Sequence, residues 1–89
     1  MLSEQIEIIN KLGLHARAAA KFVGTATRFE SSIKIGKDGR EVDGKSIMSV
    51  MMLAASCGSF IDITCEGADE QEALDAIKEL INDKFGEGE

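Results

Sequence analysis

From residue 2 to residue 9 apolar and polar positions alternate, with Ile6 and Ile8 set against Gln5 and Glu7. A period of two marks a strand with one buried face. The period then changes. After a Leu12-Gly13-Leu14 connection, Ala19, Phe22, Val23, Ala26 and Phe29 recur at helical spacing, which predicts an alanine-rich helix over 16–28. Gly24 weakens it by roughly 1 kcal/mol relative to alanine. A second strand is expected over 32–37, with Ile33 and Ile35 on one face. Lys37-Asp38-Gly39 then forms a hairpin turn of type I′ and a short third strand runs from Arg40 to Asp43, Val42 facing inward. Gly44-Lys45-Ser46 leads into a helix of about 47–53, with Ser46 as its N-cap. Residues 60–66 alternate cleanly, with Ile61, Ile63 and Cys65 on one face. Asp69 and Glu72 have the spacing of a capping box, ahead of a helix over 70–84 with Ala73, Leu74, Ile77, Leu80 and Ile81 in one stripe. Gly86 to Glu89 reads as an acidic tail.

The predicted order is βαββαβα. Strands with one apolar face call for an α+β open-faced sandwich, an antiparallel sheet covered on one side by helices. At 89 residues this is one domain, 1–89. No apolar run approaches the ~18 residues of a membrane span. The N-terminal segment has no leader pattern, and a cytoplasmic location without membrane insertion is expected. Cys57 and Cys65 are expected as free, half-buried thiols, and no metal framework is visible.

The net charge of −6 is unevenly spread. Residues 11–45 carry +4 and residues 46–89 carry −8. An acidic chain with few aromatics argues against nucleic acid, while a basic region within it suits a phosphate or an acidic protein.

Candidate chemistry centres on Asn10-Lys11-Leu12-Gly13-Leu14-His15-Ala16-Arg17, which contains the single histidine. His15 falls where the first helix should start. The unpaired amides of a helix start carry partial positive charge and favour anions. A phosphoryl group on a ring nitrogen could be held there by those amides and Arg17, although a lone histidine is more often a surface or packing residue. No catalytic triad, carboxylate pair or nucleotide loop accompanies it, so a self-sufficient catalyst is not expected. A group carrier needs only a nucleophile, an anion site and a docking surface. Ile47, Met48, Met51 and Met52 form adjacent i, i+4 pairs on a helix too short to bury its whole circumference, and suit such a surface. Ser46, at the head of that helix, also suits phosphorylation.

Leu12-Gly13-Leu14-His15-Ala16-Arg17 and the stretch Gly44 to Leu53, supported by Gly67 to Ala73, make the chain resemble the HPr family. These are the histidine phosphocarriers of the bacterial phosphoenolpyruvate-dependent phosphotransferase system. The resemblance implies a sheet of order 1-4-2-3 under three helices and no cofactor. It implies that His15 takes a phosphoryl group on Nδ1 from enzyme I and passes it to enzyme IIA proteins, assisted by Arg17. It implies Ser46 as the target of an HPr kinase/phosphorylase, and a monomer docking through Ala16, Ala20, Ile47, Met48, Met51 and Met52. Ala18 stands where many members have proline, and Gly24 and Thr27 where enteric sugar-branch members are often basic. A nitrogen-branch (NPr-like) carrier, a small-molecule-binding regulatory domain and a purely structural interaction module are the alternatives.

Overall fold

The computed structural model describes residues 1–88. Its elements are β1 (Leu2–Glu7), α1 (Ala16–Ala26), β2 (Ser32–Lys37), β3 (Arg40–Asp43), α2 (Ile47–Met52), β4 (Phe60–Glu66) and α3 (Glu70–Asn82), followed by a 3-10 turn at Lys84–Gly86. The strands form one antiparallel sheet in the order β1-β4-β2-β3. One apolar face per strand is satisfied by laying the three helices on that side, as the pattern requires. Ile6, Ile33, Ile35, Ile61, Ile63 and Cys65 from the sheet are buried against Ala19, Phe22, Ala73, Leu74 and Ile77 from α1 and α3.

The hairpin turn forms as read. Lys37 pairs with Arg40, leaving Asp38 and Gly39 as a two-residue loop, and both have positive φ, 53° and 81°. That combination fits a type I′ turn, whose twist matches the flanking strands. Cys65 is fully buried and Cys57 is exposed; both are free thiols. Burial first, then the charges of Glu70 and Asp69, push the Cys65 thiol up, so it stays protonated and inert.

Four expectations need correction. First, β1 stops at Glu7. Ile8 still bonds outward, donating to Ser59 O at 2.8 Å and accepting from Gly58 N at 2.7 Å, which fixes the approach to the Asn10–His15 loop. Second, α1 ends at Ala26, where Thr27 caps it rather than continuing to residue 28. Third, the Asp69–Glu72 capping box does not form. The Asp69 carboxylate turns to the neighbouring loop, accepting from Glu30 N at 2.9 Å, from Ser31 N at 3.0 Å and from the Ser31 hydroxyl. Three donors on one carboxylate outcompete a single local cap. Fourth, α3 stops at Asn82. Lys84 and Phe85 both adopt left-handed φ of 55°, which turns the chain back and buries Phe85 completely. What reads as an acidic tail is therefore docked on the body of the protein at least as far as Glu87.

Candidate functional site

His15 is the N-cap residue of α1, extended at φ −76° and ψ 179°, and its side chain caps nothing. The first intrahelical bond runs from Ala19 N to His15 O at 2.8 Å. The amides ahead of Ala19 are thus the unsatisfied first-turn donors of an eleven-residue helix, and they lie next to the imidazole.

Gly13 makes this placement possible. Its φ is +68°, and a Cβ there would lie 2.5 Å from Ala55 O and 2.8 Å from Ser56 Cα. Only glycine lets the loop approach so closely and turn with positive φ. The next residue locks the arrangement, with Leu14 N donating to Ala55 O at 2.8 Å.

The imidazole is partly covered, its side chain 28% exposed. Its Nε2 is hydrogen-bonded to Glu87 Oε2. No described residue bonds Nδ1. The other oxygen of Glu87 accepts from Asn10 Nδ2 at 3.0 Å, and the same amide nitrogen donates to Gly13 O at 2.8 Å. Asn10 is fully buried and its Oδ1 has no partner among the described residues. Both amide hydrogens go to oxygen acceptors, so the opposite amide orientation would set oxygen against oxygen twice. Lys21 reaches across from α1 and donates to Phe85 O at 2.7 Å, tying the 3-10 turn to the helix. Glu87 is buried enough for desolvation to push its carboxyl up. The bonds from Asn10 and His15, with the charges of His15 and Lys21, outweigh this and leave it below the usual range.

A surface cleft of about 590 Å³ opens over this group. Its walls include Lys11, Arg17 and Lys21, three cations around His15, and the carboxylate of Glu87, the one acidic side chain among the described lining residues. Arg17 is exposed, and no described residue pairs with it by hydrogen bond or ion pair. Its guanidinium is therefore available to an anion in the cleft.

Ser46 caps α2 as expected, its hydroxyl accepting from Ser49 N at 3.4 Å. Ala16 and Ala20 are exposed on α1. Ile47, Met48 and Met52 are exposed on α2, which packs beside α1. Met51 differs from the other three, being half-buried against the core. The sequence reading missed Asn10, Lys21 and Glu87 as members of the His15 group. The available signal was Phe85, an aromatic beyond the α3 stripe, which needed a place to dock.

The chain matches the family model described as "PTS HPr component phosphorylation site" over residues 2–83. It is 56% identical over 89 residues to the phosphocarrier protein HPr of Neisseria meningitidis serogroup A, covering the whole of both chains. The match to that of Pseudomonas aeruginosa is 58% over 86 residues, 96% of each. Among solved structures, the crystal structure of HPr-C-His from Thermoanaerobacter tengcongensis superposes with a TM-score of 0.95 at 50% identity, covering 98% of each chain. An HPr dimer from the same organism superposes with a TM-score of 0.79 at 50% identity, covering 98% of this chain and 100% of that one.

Proposed function

As the chain belongs to the HPr family of phosphocarrier proteins, we propose that it takes a phosphoryl group onto Nδ1 of His15 from phosphorylated enzyme I and hands it to enzyme IIA proteins. The observation that carries this reading is the setting of His15, a ring nitrogen at a helix start in a cleft with three cations. The Nδ1 lone pair attacks phosphorus, and the bond to the donor breaks with its electron pair leaving on the donor. First-turn amides and Arg17 face the phosphoryl oxygens and offset their charge. The steps repeat in reverse toward the acceptor, and no cofactor is needed.

Docking is assigned to Ala16 and Ala20 on α1 with Ile47, Met48 and Met52 on α2, Met51 supporting them from below. Exposed apolar groups on two adjoining helices support this, and flexible methionines suit a surface that must fit both a donor and an acceptor. Ser46 is assigned as a regulatory phosphorylation site for an HPr kinase/phosphorylase. A phosphate there would add nearly two negative charges beside Ile47 and Met48 and repel an acidic partner. The working unit is the single domain 1–89, acting as a cytoplasmic monomer. No helix among the described residues is long and apolar enough to cross a membrane.

The test is incubation with enzyme I and phosphoenolpyruvate. The expected result is an acid-labile mass gain of one phosphate, mapped to His15 and abolished in His15→Ala. Labelling of the His15→Ala protein at the unaltered rate would overturn the assignment.

A further inference from the structure

We propose that Glu87 is a positioning residue that fixes the tautomer of His15, holding the ring proton on Nε2 so that the lone pair stays on Nδ1. The inference rests on the carrier reading above only for its kinetic consequence. The tautomer itself is a property of the isolated protein.

Asn10 sets the polarity of the whole hydrogen-bonded group. Its Nδ2 has two hydrogens, and both are committed, one to Gly13 O and one to Glu87 Oε1. The Glu87 oxygen facing Asn10 must therefore be an acceptor. The second oxygen meets His15 Nε2, and an ionised carboxylate can only accept. The bond thus requires hydrogen on Nε2. A neutral imidazole carrying its proton there has its free electron pair on Nδ1. The carboxylate is held by more than these bonds. Phe85, two residues earlier, is fully buried and Lys21 grips its carbonyl, so the backbone that bears Glu87 is anchored and Glu87 has little freedom to swing away. Burial of its side chain to 11% exposure strengthens the interaction with the ring.

The same contact serves the transfer step. When the Nδ1 lone pair forms the nitrogen–phosphorus bond and the donor leaves with its electron pair, no proton needs to move. Nε2 keeps its hydrogen, the ring becomes a phosphorylated imidazolium, and the Glu87 carboxylate neutralises it. On onward transfer the ring leaves as a neutral imidazole, already in the starting tautomer. The logic is that of the carboxylate in a Ser-His-Asp triad, which sets the tautomer and supports the cation without taking the proton.

This geometry gives an unusual ranking of variants. In Glu87→Gln the new amide must turn its oxygen to Asn10, because Asn10 can only donate there. Its NH₂ then faces His15 Nε2 and requires a lone pair at that atom. The proton is driven to Nδ1, the position that has to attack. Glu87→Ala merely releases the ring to both tautomers. The isosteric substitution should therefore be the more damaging one.

The experiment is long-range ¹H–¹⁵N NMR of uniformly labelled protein at a pH where the imidazole is neutral, with steady-state phosphorylation by enzyme I and phosphoenolpyruvate alongside. The unaltered protein should show Nε2–H, Glu87→Gln should show Nδ1–H, and Glu87→Ala a mixture. Maximal transfer rate should fall roughly 10-fold in Glu87→Ala and ~100-fold or more in Glu87→Gln, with KM for the carrier within about twofold. An Nε2–H signal retained in Glu87→Gln would overturn the proposal. So would a transfer rate that rises in either variant, which would make Glu87 an occupant of the phosphate site. Absence of labelling in the unaltered protein would refute the carrier reading, while the tautomer measurement would still decide the role of Glu87.

Discussion

Removing the Phe85 ring tests whether the last turn is part of the core. Phe85 is fully buried although it lies beyond α3 and adopts a left-handed φ of 55°. A buried Phe→Ala change costs about 3–5 kcal/mol from lost transfer energy and the cavity left behind. The strained backbone gives no relief, because alanine keeps the Cβ responsible for the left-handed penalty. A chain of this length has a total stability of roughly 4–13 kcal/mol, so Phe85→Ala removes about a quarter of it or more. The midpoint of thermal unfolding should drop by roughly 12–40 °C. Phe60 supplies the control. It is 56% exposed, and Phe60→Ala should cost less than about 1 kcal/mol. Urea and thermal melts followed by far-UV circular dichroism measure both. A loss below about 1 kcal/mol for Phe85→Ala would show that the turn is not docked, and would remove the anchor of the backbone that bears Glu87.

Arg17→Ala should lower the rate of phosphoryl transfer to His15 by roughly ten- to a thousand-fold with an unchanged melting temperature, since the side chain is exposed and acts on charge in the transition state; rates within twofold would make it an ordinary surface cation. Met48→Glu should leave stability within about 0.5 kcal/mol and weaken enzyme I binding by about 1–2 kcal/mol in calorimetric titrations. Met51→Glu places a charge against the core and should instead lower stability by about 1–3 kcal/mol, and equal melting behaviour of the two variants would contradict the packing. The Asp69 carboxyl is held below its usual range by the Ser31 hydroxyl and then by the Glu30 amide. A group depressed in the folded state stabilises above its unfolded pKa and loses that contribution as pH falls through the folded value. The melting temperature should therefore decline between about pH 4 and pH 2, less steeply in Asp69→Asn, and an identical slope in the variant would refute the link.

Features set by neighbours in sequence were legible in it. Asp38-Gly39 specifies a two-residue hairpin through local φ preferences, and Ser46 needs only the next turn of chain to act as a cap. Alternation in β4 was enough to bury Ile61, Ile63 and Cys65. The misreadings fall where a distant partner wins. Asp69 has a good local capping role available, but donors from residues 30 and 31 take its carboxylate. Met51 and Met52 are adjacent and chemically identical, and only the packing against the sheet separates a half-buried side chain from an exposed one. At the site, His15 and Arg17 were marked by a helix start and a motif. Glu87 is 72 residues from His15, and no local pattern announces that contact.

The sheet order also bears on how the protein is made. Leu2 pairs with Cys65 and Glu7 with Phe60, so β1, the first strand of this sheet to be made, has no partner until β4 has been synthesised about sixty residues later. At about 5–20 residues per second it waits several seconds as an unpaired strand. The His15 loop waits longer still, because Glu87 leaves the exit tunnel after β4. A nascent chain stalled before residue 87 would hold its histidine without the carboxylate, so the group that sets the tautomer of His15 is made after Asn10, Arg17 and Lys21, the other members of the site.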